Sequence, residues 1–254
     1  MKTFNQLVCL AVIIFLFSSC LTKNLDYDII ITQSPPKKNV FYFAPSHNAP
    51  LLTNKNEIST SAKYEGGTNH SALSLQAAYM PTKHIGVIAS HSSGDKGNFR
   101  NYEFGAGYVA RLDSLWHFEI YSGYGTGSIK NSHITGTSSV SSSYYFLQPT
   151  ISVGNVIKAV QFAFVPKLVF NRFSAIDTSF NGAKEMYHQE QMKIMFNKPN
   201  QIFFEPGIQV KIGEKNFMMQ ASYQTSINMS NKDLNYNKGI FSVGACLRLN
   251  AKKK

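Results

Sequence analysis

The residues that could do chemistry in this chain are acids and bases that recur on one side of an alternating pattern. Successive residues of a β-strand point to opposite faces, and in stretches such as 101 to 112 and 201 to 212 the charged residues share a face with small and polar ones. This set comprises Glu103, Arg111, Glu119, Lys167, Glu205, Lys211 and Arg248. Because unpaired buried charges are costly, we interpret the set as a charge network that fills the lumen of a narrow barrel, in preference to a polar relay or a selective pore.

Other candidates for catalysis or ligand binding do not match their motifs. His188 lies between Glu185 and Glu190, but this spacing fits neither HExxH nor another known ligand set. Residues 123 to 127 read Gly-Tyr-Gly-Thr-Gly, yet they fall within a predicted strand, and no helix follows them as a phosphate loop requires. The remaining histidines form no defensible Ser-His or Asp-His pair. We therefore predict no enzyme activity, no cofactor and no metal site. An enzyme that acts in the outer leaflet of an outer membrane is a third alternative, after a structural or surface-interaction role and a pore.

The N-terminus has the pattern of an export signal. Lys2 precedes an apolar run at residues 7 to 17 that is too short to cross a bilayer as a helix, which predicts a signal peptide at residues 1 to 19. The sequence Phe17-Ser18-Ser19-Cys20 resembles the lipobox of bacterial lipoprotein precursors. That resemblance implies that Cys20 becomes the acylated first residue of the mature chain, for example with palmitate. The alternative is an ordinary signal peptide in which Cys20 is incidental.

Cysteine content and charge narrow the class further. Cys9 leaves with the signal peptide, so acylation of Cys20 leaves only Cys246 as a free thiol, and no disulfide can form within the mature chain. Processing removes one of the 25 Lys and Arg residues and none of the 14 acids, so the net charge falls from +11 to +10. Export favours an anionic membrane surface over nucleic acid as the partner of this charge. A solvated charge excess without a partner is the other interpretation.

The body of the chain has the pattern of antiparallel strands. It shows almost no helical periodicity, and stretches of roughly ten residues alternate apolar and polar between turn residues, which is the signature of a transmembrane β-barrel. We predict an all-β, up-and-down antiparallel barrel of about ten strands, with eight as the alternative. The predicted strands lie near 57 to 65, 70 to 80, 84 to 92, 101 to 112, 115 to 128, 143 to 157, 159 to 171, 201 to 212, 215 to 226 and 239 to 250.

The predicted connections alternate in length, and this alternation orients the barrel. The short ones are 81 to 83, 112 to 114 and 213 to 214, and the long ones are near 93 to 100, 129 to 142, 172 to 200 and 227 to 238. Outer-membrane barrels have short periplasmic turns and longer extracellular loops. The pattern therefore predicts a barrel in the cell outer membrane with its N- and C-termini, and hence the lipid anchor, in the periplasm.

A soluble lipocalin-like barrel that binds an apolar ligand gives the same alternation with the two faces exchanged. The polar face here is rich in Gly and Ser with few charges, which suits a packed lumen better than a water-facing exterior. Aromatic residues near the strand ends would form girdles at the membrane interfaces. They are Tyr79, Tyr102, Trp116, Tyr144, Tyr145, Phe203, Phe217 and Phe241. This composition favours the membrane barrel.

Three prolines, Pro149, Pro166 and Pro206, fall inside predicted strands. Proline has no N–H to donate to the ladder and normally occupies an edge or a bulge. A closed barrel has no edge, so we expect bulges or locally opened pairing near these residues.

Several short segments resemble a family of lipid-anchored outer-membrane β-barrel proteins from Bacteroidota. They are Phe43-Ala44-Pro45, His47-Asn48-Ala49-Pro50-Leu51-Leu52 with Lys55-Asn56-Glu57, residues 78 to 87, residues 104 to 108, Leu147-Gln148-Pro149-Thr150 and Phe204-Glu205-Pro206. The resemblance covers the mature chain from about residue 40 onward. It implies a barrel and implies that the internal prolines are a common feature of the family, but it implies no activity.

The chain thus divides into a signal peptide at 1 to 19, a lipidated periplasmic tether at 20 to 55, a barrel at 56 to 250 and a basic tail at 251 to 254. The tether is extended and broken by Pro35-Pro36. Residues 40 to 55 are too apolar for a solvated linker. We expect them to pack against the periplasmic mouth or enter it as a plug, with an extra strand or a position along the membrane interface as the alternative.

These features predict a non-enzymatic lipoprotein barrel with a structural or surface-interaction role. A small-solute pore is the alternative, although a barrel of about ten strands has an interior that side chains mostly fill. The implied partners are outer-membrane lipids and the acyl chains on Cys20, with no nucleic acid. The sequence does not identify a protein partner.

We expect Cys20 to carry the lipid. Metabolic labelling with a fatty-acid analogue should therefore be lost in Cys20→Ser, because the thiol that accepts the diacylglycerol is gone. Undiminished labelling of this variant would contradict the assignment.

Overall fold

The computed structural model describes residues 40–67, 71–94, 98–113, 115–133, 136–154, 160–180, 186–214 and 216–250. The predicted signal peptide, Cys20 and the basic tail lie outside the described residues. The strands are β1 Glu57–Gly67, β2 Ser71–Tyr79, β3 Ile85–Gly94, β4 Phe99–Arg111, β5 Trp116–His133, β6 Gly136–Val153, β7 Val160–Phe164, β8 Lys167–Phe180, β9 Asn200–Glu205, β10 Gly207–Gly213, β11 Phe217–Thr225, β12 Ile227–Asn228 and β13 Gly239–Asn250. Within these residues there is one helix, α1, at Met186–Asn197.

The strands form one antiparallel sheet that closes into a barrel. Its order is β12-β9-β8-β6-β5-β4-β3-β2-β1-β13-β11-β10-β7, and β7 also pairs with β6. The pairs β7 and β8, β9 and β10, and β11 and β12 are each one long strand with a short interruption, so the wall has ten strands. The predicted up-and-down, ten-stranded antiparallel barrel is confirmed.

The two ends of the barrel differ in their connections. At the near end, β1 begins at Glu57 opposite Asn250, and the connections between β2 and β3, β4 and β5, and β10 and β11 are short. At the far end, β1 finishes at Gly67, and the long connections carry α1 and residues 229 to 238. Neither α1 nor any other helix among the described residues is long and apolar enough to cross a membrane.

Two of the predicted long loops are shorter than expected. β5 and β6 form a hairpin whose register continues to His133 and Gly136, so most of 129 to 142 is paired. β3 and β4 pair as far as Gly94 and Phe99, so 93, 94, 99 and 100 are also strand. The apolar alternation that marks a membrane strand fades in these serine-rich and polar stretches, but a backbone ladder does not need it. The prediction also missed α1, which lies within 172 to 200.

The three prolines lie side by side on adjacent strands. The ladder between β6 and β8 ends at Leu147 opposite Leu168, and β6 resumes pairing at Ile151 opposite Phe164. Pro149 therefore lies opposite Pro166, and the register of the next pair of strands sets Pro166 opposite Pro206. The expected local opening of the strand pairing is confirmed. Its cause is that proline has no N–H, so none of the three can donate a hydrogen bond to a neighbouring strand.

The two faces of the wall are inverted relative to a soluble barrel. Large apolar side chains that point outward are about half exposed, as shown by Phe104 at 63%, Phe162 at 54% and Ile208 at 57%. Their polar neighbours that point inward are buried, as shown by Glu103 at 2%, Gln161 at 3% and Gln209 at 3%. A soluble barrel would hide the first set and expose the second.

Six of the eight expected girdle aromatics are exposed on this outer face. The other two, Tyr144 and Phe203, are buried in the lumen at 2% and 0% exposure. Their parity explains the error: Tyr144 precedes the outward Tyr145, and Phe203 shares a face with the inward Glu205. Position near a strand end was a poorer guide than parity.

Candidate functional site

The lumen holds the chain's own N-terminal segment. Residues 40 to 52, which we call the threaded segment, are all buried. Their first contacts are at the far end: Asn131 Nδ2 donates to Val40 O over 3.1 Å, and Phe41 N donates to Asn235 O over 3.1 Å. The segment therefore begins beside the end of β5 and the loop at 229 to 238.

The middle of the threaded segment is held by side chains from three strands. Lys63 Nζ donates to Ser46 Oγ and, over 2.9 Å, to His47 O. Gln76 Nε2 donates to the same two oxygens. Gln224 accepts from His47 N over 3.1 Å. Each of these side chains is buried, and each completes a hydrogen bond that an extended backbone cannot make with itself.

The last residues of the threaded segment lie among charged side chains near the other end. Lys211 Nζ donates to Ala49 O over 2.8 Å, and Arg248 donates to Leu51 O over 3.1 Å. Glu119 accepts from Leu51 N over 3.3 Å and from Leu52 N over 2.7 Å. Cations thus bind carbonyl oxygens and a carboxylate binds N–H groups. The segment crosses the lumen from the far end to the near end before β1 begins.

Leu51 has a φ of 57°, in the left-handed region that a branched side chain rarely adopts. Its N–H and C=O are held by Glu119 and Arg248, respectively. This turn sends the chain out of the lumen toward β1, and contacts with the wall maintain its conformation.

Four of the seven members of the predicted charge network bind the threaded segment: Glu119, Lys211 and Arg248 bind its backbone, and Glu205 binds the side chain of Tyr42. Of its members, Lys167 and Glu103 form a buried ion pair. Arg248 pairs with Glu57, an acid that the sequence analysis did not include, over 2.9 Å. Glu57 went unnoticed because it lies at the first residue of β1, before any alternation can be recognised.

Lys167 and Glu205 are opposite in register. The ion pair of Lys167, however, is with Glu103 on β4, three strands further round the wall, while Glu205 accepts from Tyr42 Oη over 2.7 Å. Register between neighbouring strands does not show which groups meet through the lumen, where a long lysine side chain can reach beyond the adjacent strand.

Arg111 does not belong to the lumen network. It is exposed at the last residue of β4, on the near rim, where its Nε donates to Asp113 O over 2.9 Å. The neighbouring turn is ordered by Asp113, whose carboxylate accepts from the N–H groups of Leu115 and Trp116. These hydrogen bonds hold the pKa of Asp113 below its usual range.

Aromatic side chains fill the far half of the lumen. Tyr42 stacks on Phe203 with ring centroids 3.8 Å apart, and Phe43 packs against Phe99 at 4.6 Å. The cavity between this part of the threaded segment and the wall has a volume of about 10 Å³, roughly the space of one water. Beyond it, α1 buries Met195 in the same apolar cluster.

Glycines on the wall make room for this filling. A Cβ at Gly207 would overlap the imidazole ring of His47, and a Cβ at Gly125 would overlap the ring of Tyr144. The small residues of the inner face are therefore matched to bulky groups opposite them. No group of three or more His, Cys, Asp or Glu side chains within the described ranges is placed to hold a metal ion.

We expect Glu119 to stabilise the barrel mainly through the backbone hydrogen bonds that it accepts, and less through its charge. Glu119→Ala leaves two buried N–H groups without an acceptor and should destabilise the barrel by about 2 to 4 kcal/mol, since each orphaned donor costs roughly 1 to 3 kcal/mol. Glu119→Gln retains a carbonyl acceptor and should recover much of the loss. Urea unfolding in detergent measures both, with exposed Glu214→Ala as the matched control. A loss in Glu119→Ala no larger than in Glu214→Ala would contradict the anchor.

No known protein family and no curated protein matches the sequence. The solved structures that are similar in fold, at low identity, include the following three. The N-terminal β-barrel domain of Pseudomonas aeruginosa OprF is 8% identical over 77% of this chain and 98% of its own, with a TM-score of 0.38. The translocator domain of the autotransporter NalP from Neisseria meningitidis is 9% identical over 76% and 88%, at 0.44. The Yersinia pestis outer membrane protein Ail is 17% identical over 77% and 100%, at 0.34.

Proposed function

We propose that this chain is an outer-membrane β-barrel lipoprotein, closed by its own threaded segment, with a non-enzymatic structural or surface-interaction role. The observation that carries the proposal is the inverted wall: outward Phe, Tyr, Leu and Ile side chains are exposed, while inward acids, lysines and glutamines are buried. An apolar belt around the whole outside of a barrel would be an aggregation liability in water and is favourable in lipid.

Strand lengths fit this environment. A transmembrane strand needs about 9 to 11 tilted residues, and β1, β2 and β3 have 11, 9 and 10. β5 and β6, at 18 residues each, are longer than the bilayer requires. By register, β5 extends four residues beyond β3 at each end of the barrel.

The orientation follows from the connections. Outer-membrane barrels carry their longer loops outside the cell. Short connections occur at both ends here, but the two long ones lie at the far end, whereas the connections after β2, β4 and β10, at the near end with Asn250, are all short. The far end, with α1 and residues 229 to 238, then faces the cell exterior. It presents exposed apolar side chains, Phe196 at 79% and Met229 at 66%, which support a role in contact with a surface or partner.

A closed lumen argues against the small-solute pore. The threaded segment runs the length of the barrel, and its backbone uses the inward Lys, Glu and Gln groups that would otherwise line a channel. Because these acids and bases are hydrogen-bonded to the threaded segment, they are not free to act in catalysis. It also leaves the interior filled by protein, where a lipocalin-like barrel would keep a cavity for its ligand.

We expect the chain to fractionate with the outer membrane, to migrate faster unheated than boiled on a denaturing gel, and to give no steady conductance in planar bilayers. A variant in which residues 42 to 50 are replaced by a Gly-Ser sequence of equal length should stay heat-modifiable but conduct, because the anchors lose their backbone partners. Recovery of the natural chain in the soluble fraction would contradict the membrane barrel, and steady channels formed by it would favour the pore.

A further inference from the structure

The direction of the threaded segment carries a consequence for the N-terminus. Val40 lies at the far end, held by Asn131, whereas Leu52 lies near Glu119 at the near end. β1 starts at the near end with Glu57. The chain therefore passes through the barrel once, from far to near, before its first strand.

The lumen has no room for the chain to return. Around Phe41, Tyr42 and Phe43, the remaining cavity between the segment and the wall is about 10 Å³, far less than a second polypeptide requires. The anchors in the middle and near parts of the lumen are also already engaged. Because the chain is continuous, what precedes Val40 has to leave through the far mouth.

We infer that the barrel delivers its own acylated N-terminus to the outside of the cell, with the acyl chains of Cys20 in the outer leaflet of the outer membrane. The inference rests on the proposed function, in which the far end faces the exterior, and on the lipidation of Cys20. It reverses the expectation from the sequence, which put the anchor in the periplasm because it assumed that the tether approached from that side.

The linking sequence is compatible with this placement. Nineteen residues lie between Cys20 and Val40, and at about 3.3 to 3.6 Å per residue this linker can span up to roughly 70 Å. That is ample to reach the lipid surface beside the far mouth.

The periplasmic leaflet would instead require residues 20 to 39 to cross the hydrocarbon outside the barrel. This stretch includes Lys23, Asp26, Asp28, Lys37 and Lys38. Charged side chains and an unpaired backbone are costly there. If the acyl chains insert into the outer leaflet, the charged residues between Cys20 and Val40 do not have to enter the hydrocarbon.

Three single-cysteine positions test the inference with a membrane-impermeant maleimide on intact and permeabilised cells. The background is Cys246→Ser, since that buried thiol is otherwise the remaining free one in the part described. Gln33→Cys reports on the N-terminal segment, Lys232→Cys on the exposed far loop, and Lys83→Cys on the exposed near turn. Heat-modifiable mobility verifies that each variant folds.

We expect Gln33→Cys to label in intact cells as fully as Lys232→Cys, and Lys83→Cys to label only after permeabilisation. If Gln33→Cys instead follows Lys83→Cys while Lys232→Cys is at the surface, the threading inference is wrong and the membrane barrel stands. If Lys83→Cys labels in intact cells and Lys232→Cys does not, the proposed orientation is wrong, and the outer-leaflet assignment falls with it.

The natural chain provides a second readout. Trypsin added to intact cells should cut after Lys37 or Lys38 and leave a folded fragment that begins at residue 38 or 39. Cleavage at this site only after permeabilisation would overturn the inference independently of the cysteine variants.

Discussion

An extended polypeptide inside a narrow barrel has to find hydrogen-bond partners for its backbone, and this requirement explains the composition of the lumen. The wall uses its own N–H and C=O groups in the ladder, so along the wall inward side chains serve the threaded segment. Lys63, Lys211 and Arg248 supply donors for its carbonyl oxygens, and Glu119 accepts from its N–H groups. The position of these four inward charges therefore follows from the needs of one backbone.

The same constraint links the rest of the architecture. The inward rings need space: Gly207 leaves it for His47 of the threaded segment, and Gly125 leaves it for Tyr144 of the wall. Because the interior is filled, the medium that suits the barrel depends on its outer face, and that face is apolar. The prolines of the wall are tolerated at one level because three neighbouring strands open together there.

Parity and turn spacing predicted much of this fold, and they could not predict the rest. Alternation along 159 to 171 and 201 to 212 identified the strands and their inner and outer faces. The prolines inside these strands indicated where the pairing opens. The partner of Lys167 could not be predicted, because strand register relates neighbouring strands, whereas Glu103 lies on β4, three strands away. Composition identified residues 40 to 55 as too apolar for a linker, but the direction of threading depends on contacts more than 60 residues apart, such as Leu52 with Glu119.

Hydrogen–deuterium exchange of the detergent-solubilised protein tests the central claim most directly, because amides held inside a packed lumen exchange only when the structure opens. Peptides covering residues 40 to 52 should be protected as strongly as those from β1 and β13. Exchange of these peptides within seconds, at the rate of an exposed loop such as 229 to 233, would contradict a threaded lumen.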